Sequence, residues 1–380
     1  MTSPRPAPSV PASARVDALD GLRGVAVLSV VVMHAALLGL AMSSMGGEAE
    51  AGLLRGYLSV ALLGWCGVDL FFVLSGFLIT GILVRSVGRP HYFRNFYARR
   101  ALRIFPLYYA VLVLLLFVLE RGVTSPAERL SYFLYYQNLY FATWGHLQQD
   151  PARTITWSLA VEEQFYLLWP AVVAWLAPRR LVAFCFVTIG GAIGVRLLLV
   201  HSGCKDAYFL TPCRLDALAA GALLALSPRP PAWCGTVGLL VGATGLYALA
   251  IAGGSSLPDS PLMQGFGLLA ALLFAVGGLV SALGQGWLAR CCRWRWLRSL
   301  GCYSYCIYLT HWLVLEGLSR ALHEPAGDLR WRWPLAYTMG FTVVSVALCW
   351  LLGFCSWHAF EKWFLAGKRW FPSPGSGDER

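Results

Sequence analysis

The sequence predicts an all-α, polytopic membrane protein of about ten transmembrane helices, with its N-terminus and C-terminus cytoplasmic. Three observations predict it. Of 380 residues, 58% are hydrophobic and only 13% charged, well under the ~25% of a soluble domain. The apolar residues fall into runs near the ~20 residues that a bilayer core requires, and mean hydropathy is +0.61. Lys and Arg gather in alternate segments between these runs, as the positive-inside rule requires of cytoplasmic loops. That placement accounts for the net charge of +11 without nucleic acid as a partner, and sixteen Trp and sixteen Tyr suit anchoring at two membrane interfaces.

Residues 1–16 (MTSPRPAPSVPASARV) are rich in Pro, Ala and Ser and are expected to form a disordered tail. The apolar run that follows is long enough to span and reads as a signal anchor rather than a cleaved signal. One transmembrane domain is expected over 17–360, with a cytoplasmic tail at 361–380. Its expected spans are 22–42, 57–84, 102–119, 154–177, 181–200, 212–226, 233–252, 264–284, 300–320 and 334–357. The 212–226 span is short, and 131–143 (SYFLYYQNLYFAT) reads as interfacial or re-entrant. With the N-terminus inside, the loop at 85–103 brings Arg85, Arg89, Arg94, Arg99, Arg100 and Arg103 to the cytoplasmic face. Most of the eleven cysteines lie in apolar helices as small hydrophobes, and no spacing suggests a metal site. Cys204 and Cys213 bracket a predicted outer loop (CKDAYFLTPC), where a disulfide is expected if that side is oxidising.

Ionisable residues inside spans are costly, so each calls for a partner or a function. The first span opens LDGLRGVAVLSVVVMH, with Arg23 and His34 eleven positions apart, close to three helical turns. Both therefore face one side, ~16 Å apart along the axis. His34 is a candidate catalytic group; a histidine hydrogen-bonded for packing is the alternative. Asp69, in GVDLFFVLSGFLIT, is expected to pair with a buried cation or to orient a histidine, with Ser75 and Gly76 as packing. In FYARRALRIFPLYY, Arg100 and Arg103 share a helical face, and their guanidinium forks suit phosphate oxygens. An ordinary positive-inside stop is the competing reading there.

The fourth span begins TWSLAVEEQFYLLWP. Glu162 and Glu163 point ~100° apart on a helix, so one faces inward while the other meets a different partner. Glu162 is expected at about the level of His34, where a carboxylate would orient the imidazole or bind substrate hydroxyls; an ion pair with Arg196 or Arg214 is the alternative. In GCYSYCIYLTHWLV, Ser304, Tyr308 and His311 form one polar stripe, with His311 near mid-membrane. Such a polar interior implies that something polar reacts there or passes through.

Six ordered segments, DGLRGVAVLSVVVMH, GVDLFFVLSGFLIT, FYARRALRIFPLYY, TWSLAVEEQFYLLWP, RLDALAAGALLA and SYCIYLTHWLV, make the chain resemble the acyltransferase-3 family of multipass membrane acyltransferases. The likeness covers nearly all of residues 17–360. The family includes bacterial O-antigen and exopolysaccharide O-acetyltransferases and macrolide acyltransferases, so the resemblance implies an enzyme of a bacterial plasma membrane. It implies that His34 is the catalytic histidine, that Arg100 and Arg103 help bind the acyl donor, and that Arg23 and Glu162 have functional roles. The donor it implies is a cytoplasmic acyl-CoA, acetyl-CoA by family habit, used as a co-substrate with no tightly bound cofactor and no metal. The acceptor would be a hydroxyl of a cell-envelope glycan, a lipid-linked sugar or a small hydrophobic metabolite. One departure is local: a common family pattern has proline two positions after the last histidine, whereas His311 is followed by Trp312 and Leu313.

On this reading His34 removes the acceptor's proton while Glu162 or Asp69 holds the imidazole, as the third group of a triad does. Arg23 joins Arg100 and Arg103 at the donor, and Glu163, Arg196, Arg214 and His311 contact the acceptor. Direct transfer is preferred to an acyl-enzyme, because no Ser or Cys is evidently paired with His34. Some relatives add an SGNH-type hydrolase domain outside the membrane. This chain ends about 20 residues after its last expected span, and it is expected to act alone or with a separate partner. A proton-coupled transporter is the rival reading; it would call for inverted repeats, and 17–200 and 201–360 show no corresponding pattern. A membrane sensor or scaffold would use the same buried polar groups only for packing.

Overall fold

The computed structural model describes residues 12–42, 48–119, 125–144, 150–322 and 332–372, and these are helical throughout, joined by short turns. Helix α1 (Ala12–Met42) starts inside the stretch expected to be a disordered tail, and residues 1–11 lie outside the described residues. Helix α2 (Glu48–Ala61) runs through a tighter turn, Leu62–Trp65, into α3 (Cys66–Ser86). Helix α4 (Tyr92–Val113) follows His91, whose φ of 59° lets the chain reverse after α3. The stretch read as interfacial falls in two short helices, α5 (Pro126–Phe133) and α6 (Gln137–Trp144).

Next come a single turn, α7 (Pro151–Thr154), then α8 (Trp157–Trp175), α9 (Pro178–His201), α10 (Leu215–Leu226), α11 (Ala232–Gly253) and α12 (Leu268–Ala282). Two short helices, α13 (Trp287–Cys292) and α14 (Arg295–Cys302), precede α15 (Ser304–Leu322) and α16 (Pro334–Ser356). Lacking the proline, α15 passes through His311 without a break.

Seven helices among the described residues are long and apolar enough to cross a bilayer: Asp17–Met42, Gly52–Ser86, Tyr92–Val118, Pro178–His201, Ala232–Gly253, Met263–Ala282 and Pro334–Trp370. The protein is thus a polytopic membrane protein. The other three expected spans are also helices. Helix α10 has 12 residues, ~18 Å, against a core of ~30 Å. Helices α8 and α15 have 19 residues each and carry the polar side chains of the interior, which lowers their apolarity.

Helix α1 lies at the centre, packed against α3, α14, α15 and α16, while α3 packs against α8, α10 and α12. Small residues allow the closest crossings. A side chain at Gly76 would meet the Leu218 carbonyl oxygen at 1.9 Å, and one at Gly221 would meet that of Val73 at 2.0 Å, so α3 and α10 touch backbone to backbone. Outside this centre, α9, α11 and α16 expose Phe186, Val187, Leu240, Ile251, Val343 and Leu351. A continuous apolar surface of this kind belongs against hydrocarbon rather than water.

The stretch expected to be a C-terminal tail continues the last long helix, which runs on from α16 through Trp357–Glu361, and packs against the bundle. Helix α17 (Lys362–Ala366) and a turn at Gly367–Trp370 pack against α4. Cys204 and Cys213, expected as a disulfide, are free thiols, and Cys213 is buried just before α10.

Candidate active site

One end of the bundle gathers cations. A cavity of about 650 Å³ there is lined by Arg23, Arg89, Arg94, Arg99, Arg100, Arg103 and Lys368, and no Asp or Glu lines it. The helical spacing of α4 sets Arg99, Arg100 and Arg103 on its wall, and α1 brings Arg23 beside them. Arg100 stands 5.0 Å above the Tyr166 ring, which fixes its guanidinium against α8. Arg23 is also held by Asp20 at 3.0 Å, one turn earlier on α1.

A smaller cavity of about 100 Å³ continues inward, sharing Arg23, Arg100 and Arg103 with the first and adding Ser75, Glu162 and Tyr308. Glu162 accepts a 2.6 Å hydrogen bond from Ser75 Oγ. The expectation that Glu162 lies level with His34 and orients it is therefore corrected: the turn of α8 carries it toward the arginines. Ser75, read as packing, is its positioning donor. Glu163 lies ~100° around the helix, lines none of the cavities described, and turns toward the rings of Tyr108, Tyr109, Tyr135 and Tyr305. Its expected contact with substrate has no counterpart in this geometry.

His34 and His311 meet between α1 and α15. His311 Nε2 lies 3.1 Å from His34 Nδ1, which is also 3.1 Å from the Val30 carbonyl. His311 Nδ1 lies 2.7 Å from the Tyr308 carbonyl. A carbonyl only accepts, so this network assigns each ring its proton on Nδ1. His34 Nδ1–H is then shared between Val30 O and the His311 Nε2 lone pair, which leaves His34 Nε2 as a free base. Trp312 closes edge-on against the His34 ring, with centroids 5.2 Å apart. His311, expected to contact substrate, is fully buried and instead occupies the orienting place expected for a carboxylate.

His34 also lines a third cavity, of about 460 Å³, toward the other end of the bundle. Its walls include Trp65, Trp157, Trp312, Lys205, Asp206 and Asp259. In the loop after α9, burial pushes the Asp206 carboxyl above its usual range, with Lys205 acting in the opposite direction. The turn at Pro151–Ile155 that forms one rim is held by Arg153, paired with Glu128 at 2.8 Å and Asp150 at 3.1 Å. Val68 and Tyr308 line both this cavity and the small one, so Tyr308 stands between the histidine pair and the arginine cluster. Its hydroxyl is held by Ser158 Oγ at 2.6 Å and donates to the Ile155 carbonyl at 3.2 Å.

The remaining expected site residues form buried ion pairs. Arg214 Nη2 meets Asp69 Oδ1 at 2.8 Å, with its guanidinium over Phe72, Trp157 and Tyr208. Arg196 Nη1 meets Asp216 Oδ2 at 2.6 Å and donates to the Cys213 carbonyl at 2.8 Å. Asp69 is thus a partner of a buried cation rather than of His34, and Arg196 and Arg214, expected to contact substrate, line none of the cavities described. Asp216 was missed, although its signal is plain in RLDALA: an acid in an apolar helix two residues after an arginine. Lys368 was missed because nothing in the local sequence ties the C-terminal stretch to α4.

A family model described as an acyltransferase domain matches residues 16–354. The peptidoglycan O-acetyltransferase OatA of Listeria monocytogenes serovar 1/2a is 27% identical over 362 residues, covering 87% of this chain and 54% of that protein. YrhL of Bacillus subtilis strain 168 is 30% identical over 390 residues, covering 91% of this chain and 54% of its own length. The O-acetyltransferase OatA of Staphylococcus aureus strain NCTC 8325 is 28% identical over 278 residues, 68% of this chain and 40% of the relative. The chain thus spans about half the length of the first two. No solved structure matches it. Since the family model spans the bundle from the first turns of α1 to the last of α16, with every arginine and histidine of the site inside it, the chain belongs to the acyltransferase 3 family.

Proposed function

We propose that the protein moves an acyl group, acetyl in the first instance, from a cytoplasmic acyl-CoA to a hydroxyl of a cell-envelope glycan or lipid-linked sugar. On the reading of about ten spans with both termini cytoplasmic, the basic cavity faces inside and the histidine-lined cavity outside. The observation that carries the reading is the histidine pair: a base with its Nε2 lone pair free, held through Nδ1, at the wall of a cavity that adjoins, at Val68 and Tyr308, the small cavity lined by Arg23, Arg100 and Arg103. The Listeria and Bacillus relatives, both named for peptidoglycan O-acetylation, support a glycan acceptor and an acetyl donor.

In the proposed mechanism Arg23, Arg100 and Arg103 hold the donor's phosphates, and the thioester end passes Glu162 toward Tyr308. The acceptor enters from the opposite cavity, whose tryptophans offer faces to sugar rings and whose Asp206 and Asp259 accept from hydroxyls. His34 Nε2 takes the hydroxyl proton as the oxygen attacks the thioester carbonyl; the C–O bond forms, the C–S bond breaks, and the proton passes on to the departing CoA thiolate. His311 stabilises the charge that appears on His34 by accepting from Nδ1–H. Direct transfer is favoured because Ser75, the hydroxyl nearest the carboxylate, donates to Glu162 rather than to a histidine.

The test is transfer of radiolabelled acetyl from acetyl-CoA to extracted envelope material by membranes carrying the wild type or His34→Ala at matched expression. Label is expected only with the wild type. Equal labelling by both would overturn the role of His34, and an acyl-protein trapped during turnover would overturn direct transfer.

A further inference from the structure

We propose that Lys368, beyond the 16–354 segment that the family model matches, is a further anion-binding residue of the donor site, presented by a C-terminal strap that closes the basic cavity. The inference rests on the acyl-CoA reading of that cavity and adds to it a residue and an element.

The strap is held in place by its backbone. Arg99 Nη1 donates to the carbonyls of Lys368 at 3.2 Å and Phe371 at 2.9 Å, and Asn95 Nδ2 donates to that of Pro372 at 3.1 Å. Asn95 and Arg99 are four apart on α4, so one helical face grips three carbonyls of the strap. Arg94 stands 5.9 Å over the Phe371 ring, and Gly367 lies close enough to α4 that a side chain there would meet Leu102 at 3.2 Å. Each of these contacts fixes main chain or ring, and none engages the Lys368 ammonium.

That ammonium is left in a crowd of its own sign. Its electrostatic neighbours are Arg103, Arg100, Arg99 and Arg23, and no carboxylate lines the cavity they share. Half-buried like charges repel one another, and a fold gains nothing by assembling them unless an anion completes the set. Arg23 has Asp20, and Arg103 has Glu361 and Asp20, as acidic neighbours outside the cavity wall, so the five cations keep a net positive charge, and CoA with its three phosphate groups matches it better than the single phosphate of one lipid headgroup. The strap therefore acts as the second jaw of a clamp whose first jaw is α4.

The test is equilibrium binding of CoA to the full chain in nanodiscs, for wild type, Lys368→Gln, Lys368→Arg and Arg85→Gln, each at two salt concentrations. Arg85 serves as control because it lies on the same expected face but outside this cavity. Lys368→Gln is expected to raise the CoA Kd about tenfold and to flatten its salt dependence, since one charge-assisted contact is lost. Lys368→Arg restores both, and Arg85→Gln leaves both unchanged. A Lys368→Gln protein that binds CoA like the wild type, with the same salt dependence, overturns the role of Lys368 while the donor reading stands. A wild type that binds no CoA overturns the donor reading, and the clamp with it.

Discussion

At the residue scale, the arrangement turns on which atom of each polar group is engaged. His311 touches His34 through the nitrogen opposite its own carbonyl-bound one, so in the proposed mechanism it acts on the reaction only through its neighbour. Replacing it by Gln keeps an acceptor near His34 but loses the fixed ring geometry. His311→Gln is expected to lower kcat by about 10²–10³ while leaving KM for acyl-CoA within about twofold, because donor contacts lie beyond Tyr308. A parallel rise in KM with unchanged kcat would instead make His311 part of a binding surface. The buried Asp69–Arg214 pair predicts the opposite pattern. Removing one partner strands a charge, so Arg214→Met is expected to cost about 3–5 kcal/mol, whereas Asp69→Leu with Arg214→Met recovers most of the lost thermal stability. If the double variant regains stability yet stays inactive, the pair has a role beyond packing. The sequence made the histidines legible because imidazoles deep in apolar helices have few explanations. It left their partners open: Asp69, Glu162, Arg196 and Arg214 are each polar enough to reach the others, and only the crossing of α3, α8 and α10 decides who meets whom.

At the element scale, helices were legible from apolar length alone, and their crossings partly so. GVDLFFVLSGFLIT showed small residues that permit close approach, but nothing in it names α10 as the partner. The contact at Gly76 is testable. A Cβ there would collide with the Leu218 carbonyl, which is backbone and cannot swing aside. Gly76→Val is therefore expected to push α3 from α10 and to destabilise the protein by roughly 1–3 kcal/mol or more, seen as a lower thermal midpoint in detergent. Gly190→Ala on α9, where a side chain would meet nothing within 4 Å, is the matched control and should be neutral. Equal loss in both would mean that the α3–α10 contact does not govern the result, since alanine has the higher helix propensity and propensity alone cannot lower stability at position 190. The short helices α13 and α14 were not legible as elements, because helices of such length need tertiary contacts to persist.

At the scale of the whole molecule, the two large cavities open at opposite ends and are joined only through the small one behind Tyr308. If donor and acceptor arrive from different sides, the membrane's two faces must be distinguishable at residues already named. Arg89 lines the basic cavity, and Lys205 lines the one that His34 faces. With exposed Cys302 and Cys355 first changed to serine, Arg89→Cys and Lys205→Cys report the side of each cavity. A membrane-impermeant maleimide added to intact cells is expected to label Lys205→Cys and to spare Arg89→Cys until the membrane is opened. The positive-inside reading of the 85–103 loop leads to that expectation, since its arginines form the cavity wall and cannot lie on the other face without carrying the whole of α4 with them. Labelling of both positions from outside would put donor and acceptor on one face, and a cytoplasmic acyl-CoA would then be the wrong donor. Labelling of Arg89→Cys alone would invert the molecule and place the histidine pair over a cytoplasmic acceptor.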